Sequence, residues 1–301
     1  MSLVSYILIF LFTLILFLFL CISLILGYQH SVLFAPSSIL SSKPEIEYSN
    51  LYLDMVGKIH DKKPGGKYIN LWHFIFNENG QTVLFCHGNS GNISKRSYII
   101  DLCANLKLNL VLFDYRGYGE STGLPNPKSI CEDGISVYEY LIKQCNPSNI
   151  IVWGESLGGA VATHIASNRK VSRLILMCTF SSLDDVLRYS KGSPWLIKLL
   201  KLTTDTLPNK HKISKIKCPI AILHSQNDDI IPYQCGKILY DSISHANKLF
   251  IKIDGPHSIP EITHTQLSEL LCFCQVDIPD SDYLNTWLTN LSVCIRQLLD
   301  P

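Results

Sequence analysis

The sequence predicts an α/β fold in which helices flank a mostly parallel sheet, with one apolar helix in front of it. Short apolar runs without the alternation of a half-exposed strand are separated by helical stretches, the pattern of a buried parallel sheet. Gly-Glu-Ser-Leu-Gly follows one of these runs, at 154–158, and an uncharged run rich in Leu, Ile and Phe fills 6–26. Strands are predicted at 69–76, 82–86, 110–113, 149–153, 173–178, 220–224 and 249–253, and helices at 93–106, 128–144, 157–168, 233–243 and 283–298.

The apolar run predicts a transmembrane anchor over residues 5–27. Its 21 residues, at about 1.5 Å each, span roughly 30 Å, the thickness of the hydrocarbon core of a bilayer. A cleaved signal peptide is the alternative, but its apolar region has only about 7–15 residues behind a positive start. Residues 1–6 contain no lysine or arginine. Lys43 is the first basic side chain after the run, so the charges leave the side of the membrane open.

Two further segments are predicted after the anchor. Residues 28–48, which contain several Ser and Pro, are predicted to be a juxtamembrane linker, and residues 49–301 a single catalytic domain. Within that domain, the apolar segment 195–200 is a candidate cap helix beside the pocket. The net charge of +1 offers no basic surface for nucleic acid. The sequence leaves the oligomeric state open.

The Gly-Glu-Ser-Leu-Gly sequence predicts a nucleophile at Ser156. A serine between glycines, at the turn from a buried strand to a helix, is the nucleophile elbow of α/β-hydrolases. The glycines remove the Cβ atoms that such a tight turn cannot hold. An ordinary turn is the alternative, and the strand before the motif and the small residues after it argue against that alternative.

Two partners are expected to follow the serine, first an acid and then a histidine. Asp228, in the loop after the run 219–223, is the predicted acid. His257, in a Gly-Pro turn after the run 248–253, is the predicted base. Asp229 stays an alternative acid, although Asp228 comes first after the strand and reaches back over the sheet edge more easily. His264 is the alternative base, and its position in a predicted helix suits that role less.

The loop 87–92, His-Gly-Asn-Ser-Gly-Asn, is predicted to form an oxyanion hole. It follows the buried strand 82–86, and in such folds the loop after the third strand supplies one backbone N–H. The predicted donors are the amides of Asn89 and Leu157. A phosphate-binding loop is the alternative, but the Gly-Lys-Ser/Thr ending of such loops is missing. No cofactor and no metal is expected, since Cys272 and Cys274 lack further ligands nearby.

Cysteines and sequons give conflicting indications of the compartment. The eleven cysteines are scattered without a compact framework, which favours buried thiols in a reducing compartment. Asn92 and Asn290, by contrast, begin N-glycosylation sequons.

Three sequence blocks resemble the membrane-anchored α/β-hydrolase-domain family: residues 87–92, the segment Phe-Asp-Tyr-Arg-Gly-Tyr-Gly-Glu-Ser at 113–121, and residues 154–160. The resemblance extends from about Leu33 to His257. It implies a serine hydrolase with Ser156, Asp228 and His257 as its triad, no cofactor, and a lipid ester or S-acylated protein as substrate. Relatives usually have glycine where this chain has Ser225, and Asn-Asp where it has residues 258–259. A serine aminopeptidase and a scaffold without turnover are the alternative functions.

Overall fold

The computed structural model describes residues 3–190 and 207–276, and the fold is given for these residues. The candidate cap helix at 195–200, the predicted helix at 283–298 and the sequon at Asn290 lie outside them. The strands are β1 (Ala35–Pro36), β2 (Ser49–Asp54), β3 (Ile59–His60), β4 (Tyr68–Phe74), β5 (Thr82–Cys86), β6 (Ser90–Gly91), β7 (Asn109–Phe113), β8 (Ile150–Glu155), β9 (Arg173–Met177), β10 (Ile220–Ser225) and β11 (Lys248–Ile253). The helices are α1 (Leu3–Leu33), α2 (Ser97–Asn105), α3 (Pro127–Leu141), α4 (Leu157–Asn168), α5 (Leu183–Tyr189), α6 (Asn209–Ile213), α7 (Tyr233–Asp241) and α8 (His264–Cys274).

Nine strands form the main sheet in the order β11-β10-β9-β8-β5-β7-β4-β2-β3. The six strands from β11 to β7 are parallel, and β4, β2 and β3 continue the sheet in antiparallel pairing. The predicted α/β-hydrolase fold with its mostly parallel sheet is therefore confirmed. The sequence did not predict β2 and β3, the last two strands at one end of the sheet, which are only partly buried.

The core consists of two apolar layers, one on each face of the sheet. One layer includes the inward residues of α3, α4 and α7, and the other includes those of α2 and α8. Parallel strands β5, β8, β10 and β11 end at the same edge of the sheet. The loops that leave these four ends carry Asn89, Ser156, Asp228 and His257, so the topology gathers all four at one place.

The apolar helix at the amino terminus is α1. Residues Ser5–Leu24 within it are long and apolar enough to cross a membrane, and none of them is buried against the rest of the protein. The helix continues to Leu33, and Phe34 follows with only 3% of its surface exposed, packed into the first core layer. Part of the predicted linker 28–48 is thus helical, and part of it is packed on the domain.

Candidate active site

Ser156 lies in strained backbone at the turn between β8 and α4. Its φ of 53° and ψ of −118° are outside the ordinary regions for a residue with a side chain. Its N–H donates to Met177 O at 3.0 Å, and its carbonyl accepts from Thr179 Oγ1 at 2.6 Å. These two hydrogen bonds, from β9 and the residues directly after it, hold the turn in its strained conformation.

Gly158 permits the close approach of α4 to β5. A Cβ at this position would overlap the carbonyl group of Cys86 and lie 2.6 Å from His87 O. Gly88 is different, since a Cβ there would meet Ser156 Cβ at 3.6 Å, an ordinary contact. The loop after β5 therefore passes directly beside the serine.

Ser156, His257 and Asp228 form one hydrogen-bonded chain. His257 Nε2 is 2.9 Å from Ser156 Oγ, and His257 Nδ1 is 2.8 Å from Asp228 Oδ2. The side chain of Asp228 is fully buried, and that of His257 is 12% exposed. Because a carboxylate only accepts, His257 Nδ1 is the donor to Asp228, and Nε2 is the ring atom placed to accept from the serine hydroxyl.

Two backbone amides fix the orientation of Asp228. Its Oδ1 accepts from Ile230 N at 3.0 Å and from Ile231 N at 2.7 Å, so Oδ2 is left for His257. His224 Nε2 lies 3.6 Å from the same Oδ2 but donates to Ile231 O at 3.0 Å. Burial lowers the pKa of His224, so it stays neutral and serves to hold the loop.

The two alternative residues occupy other positions. Asp229 is exposed, and its Oδ1 accepts from the backbone N–H of His257 at 3.0 Å. That hydrogen bond lowers the pKa of Asp229. It fixes the main chain of His257 but does not touch the ring. His264 begins α8, and its Nε2 has no hydrogen-bond partner within residues 3–190 and 207–276.

Ser225 connects the acid loop with the histidine loop. Its hydroxyl donates a short hydrogen bond to Gly255 O and accepts one from Asn227 N at 3.1 Å. Gly255 has a φ of +84°, a conformation that favours glycine. The Ser225 hydroxyl thus links the two loops.

The loop with Asn89 is held by buried polar groups. His87 Nδ1 donates to Gly88 O at 2.7 Å, which orients the peptide unit whose N–H belongs to Asn89. Tyr115 OH donates to His87 O and Tyr118 OH donates to Asn89 O, both at 2.8 Å. Leu157, the other predicted donor, is the first residue of α4, where a backbone N–H has no partner within the helix.

The buried carboxylate of Asp114 lies beside the imidazole ring of His87. Asp114 Oδ1 lies 3.5 Å from His87 Nε2 and accepts from Ile93 N at 2.9 Å, and both side chains are almost fully buried. Burial raises the pKa of Asp114. Neither this pairing nor the hydrogen bond between Tyr98 and Glu155, the residue before the serine, has a spacing signal in the sequence.

The first sequon is inaccessible in the folded domain. Asn92 is completely buried, and its Nδ2 donates to Ser37 O at 2.9 Å and to Ile39 O at 2.8 Å. The nitrogen that a glycan would need is therefore occupied. Within the described part of the chain, no group of three or more His, Cys, Asp or Glu side chains is arranged to hold a metal ion.

The fold and the strained serine turn define the class of the protein, which is an α/β-hydrolase. A sequence profile described as alpha/beta hydrolase fold matches residues 81–215. An uncharacterized protein of Mycobacterium tuberculosis is 32% identical over 201 residues, which are 65% of this chain and 70% of that protein. The chain belongs to the α/β-hydrolase-domain family.

A named lipase and a solved esterase structure are also similar. Lysophosphatidylserine lipase ABHD12 of Danio rerio is 29% identical over 192 residues, 58% of this chain and 50% of the lipase. This chain thus matches half the length of that relative. The Pyrococcus furiosus esterase Pf2001 superposes with a TM-score of 0.59 at 17% identity, over 84% of this chain and 99% of the esterase. At this identity, the likeness to the esterase shows the fold.

Proposed function

We propose that the chain is a membrane-tethered serine hydrolase that cleaves an acyl ester or thioester through an acyl-enzyme. The observation that carries the proposal is the continuous chain from Asp228 through His257 to Ser156, at 2.8 and 2.9 Å. Three such side chains in contact on an exposed surface would be weak evidence of catalysis. Here the acid is buried and the serine is 8% exposed in strained backbone, the geometry that an activated nucleophile needs.

In the proposed reaction, Ser156 Oγ attacks the carbonyl carbon of the substrate while its proton moves to His257 Nε2. Asp228 stabilises the imidazolium that forms and keeps its orientation. The same proton then passes to the leaving oxygen or sulfur, and water, activated by His257, releases the acid. The amides of Asn89 and Leu157 are proposed to bind the oxyanion, where one donor contributes about 2.7–4 kcal/mol.

The amino-terminal helix supports a substrate at a lipid surface. The candidate span ends at Leu24, and the helix runs on to Leu33. These nine further residues add about 14 Å, after which the chain enters the domain at the buried Phe34. This short distance favours acyl lipids or S-acylated proteins, as does the finer resemblance to α/β-hydrolase-domain protein thirteen. The Danio rerio relative is named a lysophosphatidylserine lipase.

A fluorophosphonate probe tests the serine mechanism. The detergent-solubilised full chain should be labelled, Ser156→Ala should not be, and His264→Ala, a matched control outside the chain of hydrogen bonds, should be labelled like the wild type. A folded wild-type protein that the probe does not label would exclude the serine mechanism in favour of a scaffold.

A competition in micelles tests the substrate class. We expect kcat/KM to be higher for a palmitoyl thioester or a monoacylglycerol than for an aminoacyl amide. An amine cannot leave until His257 has protonated it, whereas a thiolate or an alkoxide is a better leaving group and depends less on that proton. A preference for the amide would instead indicate a serine aminopeptidase.

A further inference from the structure

The residues directly after the apolar helix are hydrogen-bonded to the loop that carries Asn89. We call residues 35–41 the strap. Its strand β1 pairs in parallel with β6, Ala35 beside Ser90 and Pro36 beside Gly91. Ala35 N donates to Asn89 O and Ser37 N donates to Gly91 O, each at 3.0 Å. The strap therefore pairs with the backbone of this loop in a small two-stranded sheet outside the main sheet.

Other groups fasten the strap at its far end. Gly119 N donates to Ser37 O at 2.9 Å, and Ser41 N donates to Ser94 Oγ at 2.8 Å. The buried amide of Asn92 bridges Ser37 O and Ile39 O. Phe34, immediately before the strap, is buried in the core. Residues 34–41, which composition alone assigns to a linker, are thus fixed to the domain at several points along the segment.

His87 and the strap each hold one of the two peptide units that flank Asn89. His87 Nδ1 holds the carbonyl before the Asn89 N–H, while Ala35 N and Tyr118 OH hold the carbonyl after it. Fixing both peptide planes fixes the direction of the N–H between them. Misplacing a group at a reacting centre by about 1 Å can cost roughly 100-fold in rate.

We infer that the strap is a positioning element of the oxyanion hole, so that the segment joining the anchor to the domain also sets the rate of the reaction. The inference rests on the proposed function, in which Asn89 N–H binds the oxyanion. Ala35 and Ser37 act through Asn89 and do not touch the substrate. Their backbone N–H groups, rather than their side chains, carry the effect.

Proline substitutions in the full-length protein test this role. Ala35→Pro removes the N–H that bonds Asn89 O, and Ala35→Ser, the matched control, keeps it. Ser37→Pro and Ser37→Ala form a second pair at the bond to Gly91 O. We expect kcat on a short soluble ester to fall about 10- to 100-fold in each proline variant with KM within about twofold. Both controls should stay within about twofold of the wild type.

Two measurements separate positioning from general damage. The melting temperature should fall by no more than about 4 °C. Hydrogen exchange should rise in the peptide that contains residues 88–94, and stay unchanged in one that contains 152–160. Proline variants that melt normally and keep the wild-type kcat would overturn the inference, as would equal losses in a proline variant and its control. If the wild-type protein shows no hydrolysis that depends on Ser156, the proposed function itself is refuted, and the inference about the strap with it.

Discussion

Asp228→Asn is the substitution that most sharply tests the assignment of the acid. Both oxygens of the Asp228 carboxylate are engaged, Oδ1 by the amides of Ile230 and Ile231 and Oδ2 by His257. An asparagine must keep its oxygen at the two amides, because an NH₂ group facing two N–H donors is unfavourable. Its NH₂ group therefore faces His257 Nδ1.

That arrangement disables the base. An N–H donor opposite His257 Nδ1 favours the tautomer in which Nδ1 has the lone pair and Nε2 has the hydrogen. Nε2 is the atom 2.9 Å from Ser156 Oγ, so it can no longer accept the serine proton. In a serine protease the same substitution lowers kcat about 10⁴-fold, which corresponds to roughly 5.4 kcal/mol at 1.36 kcal/mol per tenfold. We expect a loss of this order here.

Asp229→Asn is the matched control. An amide oxygen can still accept from the His257 backbone N–H, so the ring should keep its position and kcat should stay within a few-fold of the wild type. The assay is steady-state hydrolysis of a short soluble ester by the detergent-solubilised protein. Equal losses at the two positions, or a loss only at Asp229, would show that Asp228 is not the orienting acid.

Three further predictions concern the packing of the elbow, the anchor and the response to pH. Gly158→Ala should lower the melting temperature by several degrees and reduce activity, because overpacking of this kind costs about 1–3 kcal/mol; Gly88→Ala, with room for its Cβ, should fold normally, and an equal effect of the two would contradict the steric argument. A chain that starts at residue 28 should leave carbonate-washed membranes for the soluble fraction and keep its esterase activity, whereas one that starts at residue 42 should be released with a lower kcat; a shorter chain that still pellets would mean that another segment binds lipid. Burial lowers the pKa of His73 and of His224, so below about pH 6.5 the unfolded state binds more protons than the folded state. The free energy of unfolding should therefore decrease as the pH is lowered, by up to about 1.4 kcal/mol per pH unit for each histidine. Chemical denaturation between pH 7 and 5 should show this slope and a smaller slope in His73→Gln, and an equal slope in that variant would refute the assignment to His73.

The sequence is informative about the site where a local pattern determines the backbone. The elbow, the loop after β5, and the turns with Asp228 and His257 each follow a short apolar run and contain small, acidic or turn-forming residues. Each of those signals directly follows its own strand in the chain. They predicted which strand ends carry polar groups, and parallel pairing then brings the ends together.

Contacts that depend on strand order could not be predicted in this way. β5 and β7 are parallel neighbours, with Phe85 beside Leu112, so His87 and Asp114 lie at the same height two residues further on. In the chain, however, β8 follows β7, and in the sheet it lies on the other side of β5. The sequence pattern does not reveal this crossover, and His87 could be interpreted only as a local structural residue.

The strap could not be predicted for a different reason. β1 has two residues, both exposed, and a pairing of this length has no hydrophobic period. Serine and proline over the same stretch are typical of a linker. Composition indicates only which side chains are buried, whereas the strap is held by its backbone. Phe34 is the only one of the residues 34–37 that is fully buried.

The topology explains why the loop after β5 needs a partner from outside the main sheet. β5 lies between β7 and β8. The loop after β5 is therefore contacted by Tyr118, from the loop after β7, and by the serine turn after β8. Without the strap, Asn89 O would keep the hydrogen bond from Tyr118 OH but lose the one from Ala35 N, and Gly91 O would lose the one from Ser37 N. Ala35 and Ser37 provide the missing donors. The same residues also join α1, the proposed anchor, to the domain. Ala35→Pro and Ser37→Pro should therefore reduce catalysis without releasing the protein from the membrane fraction.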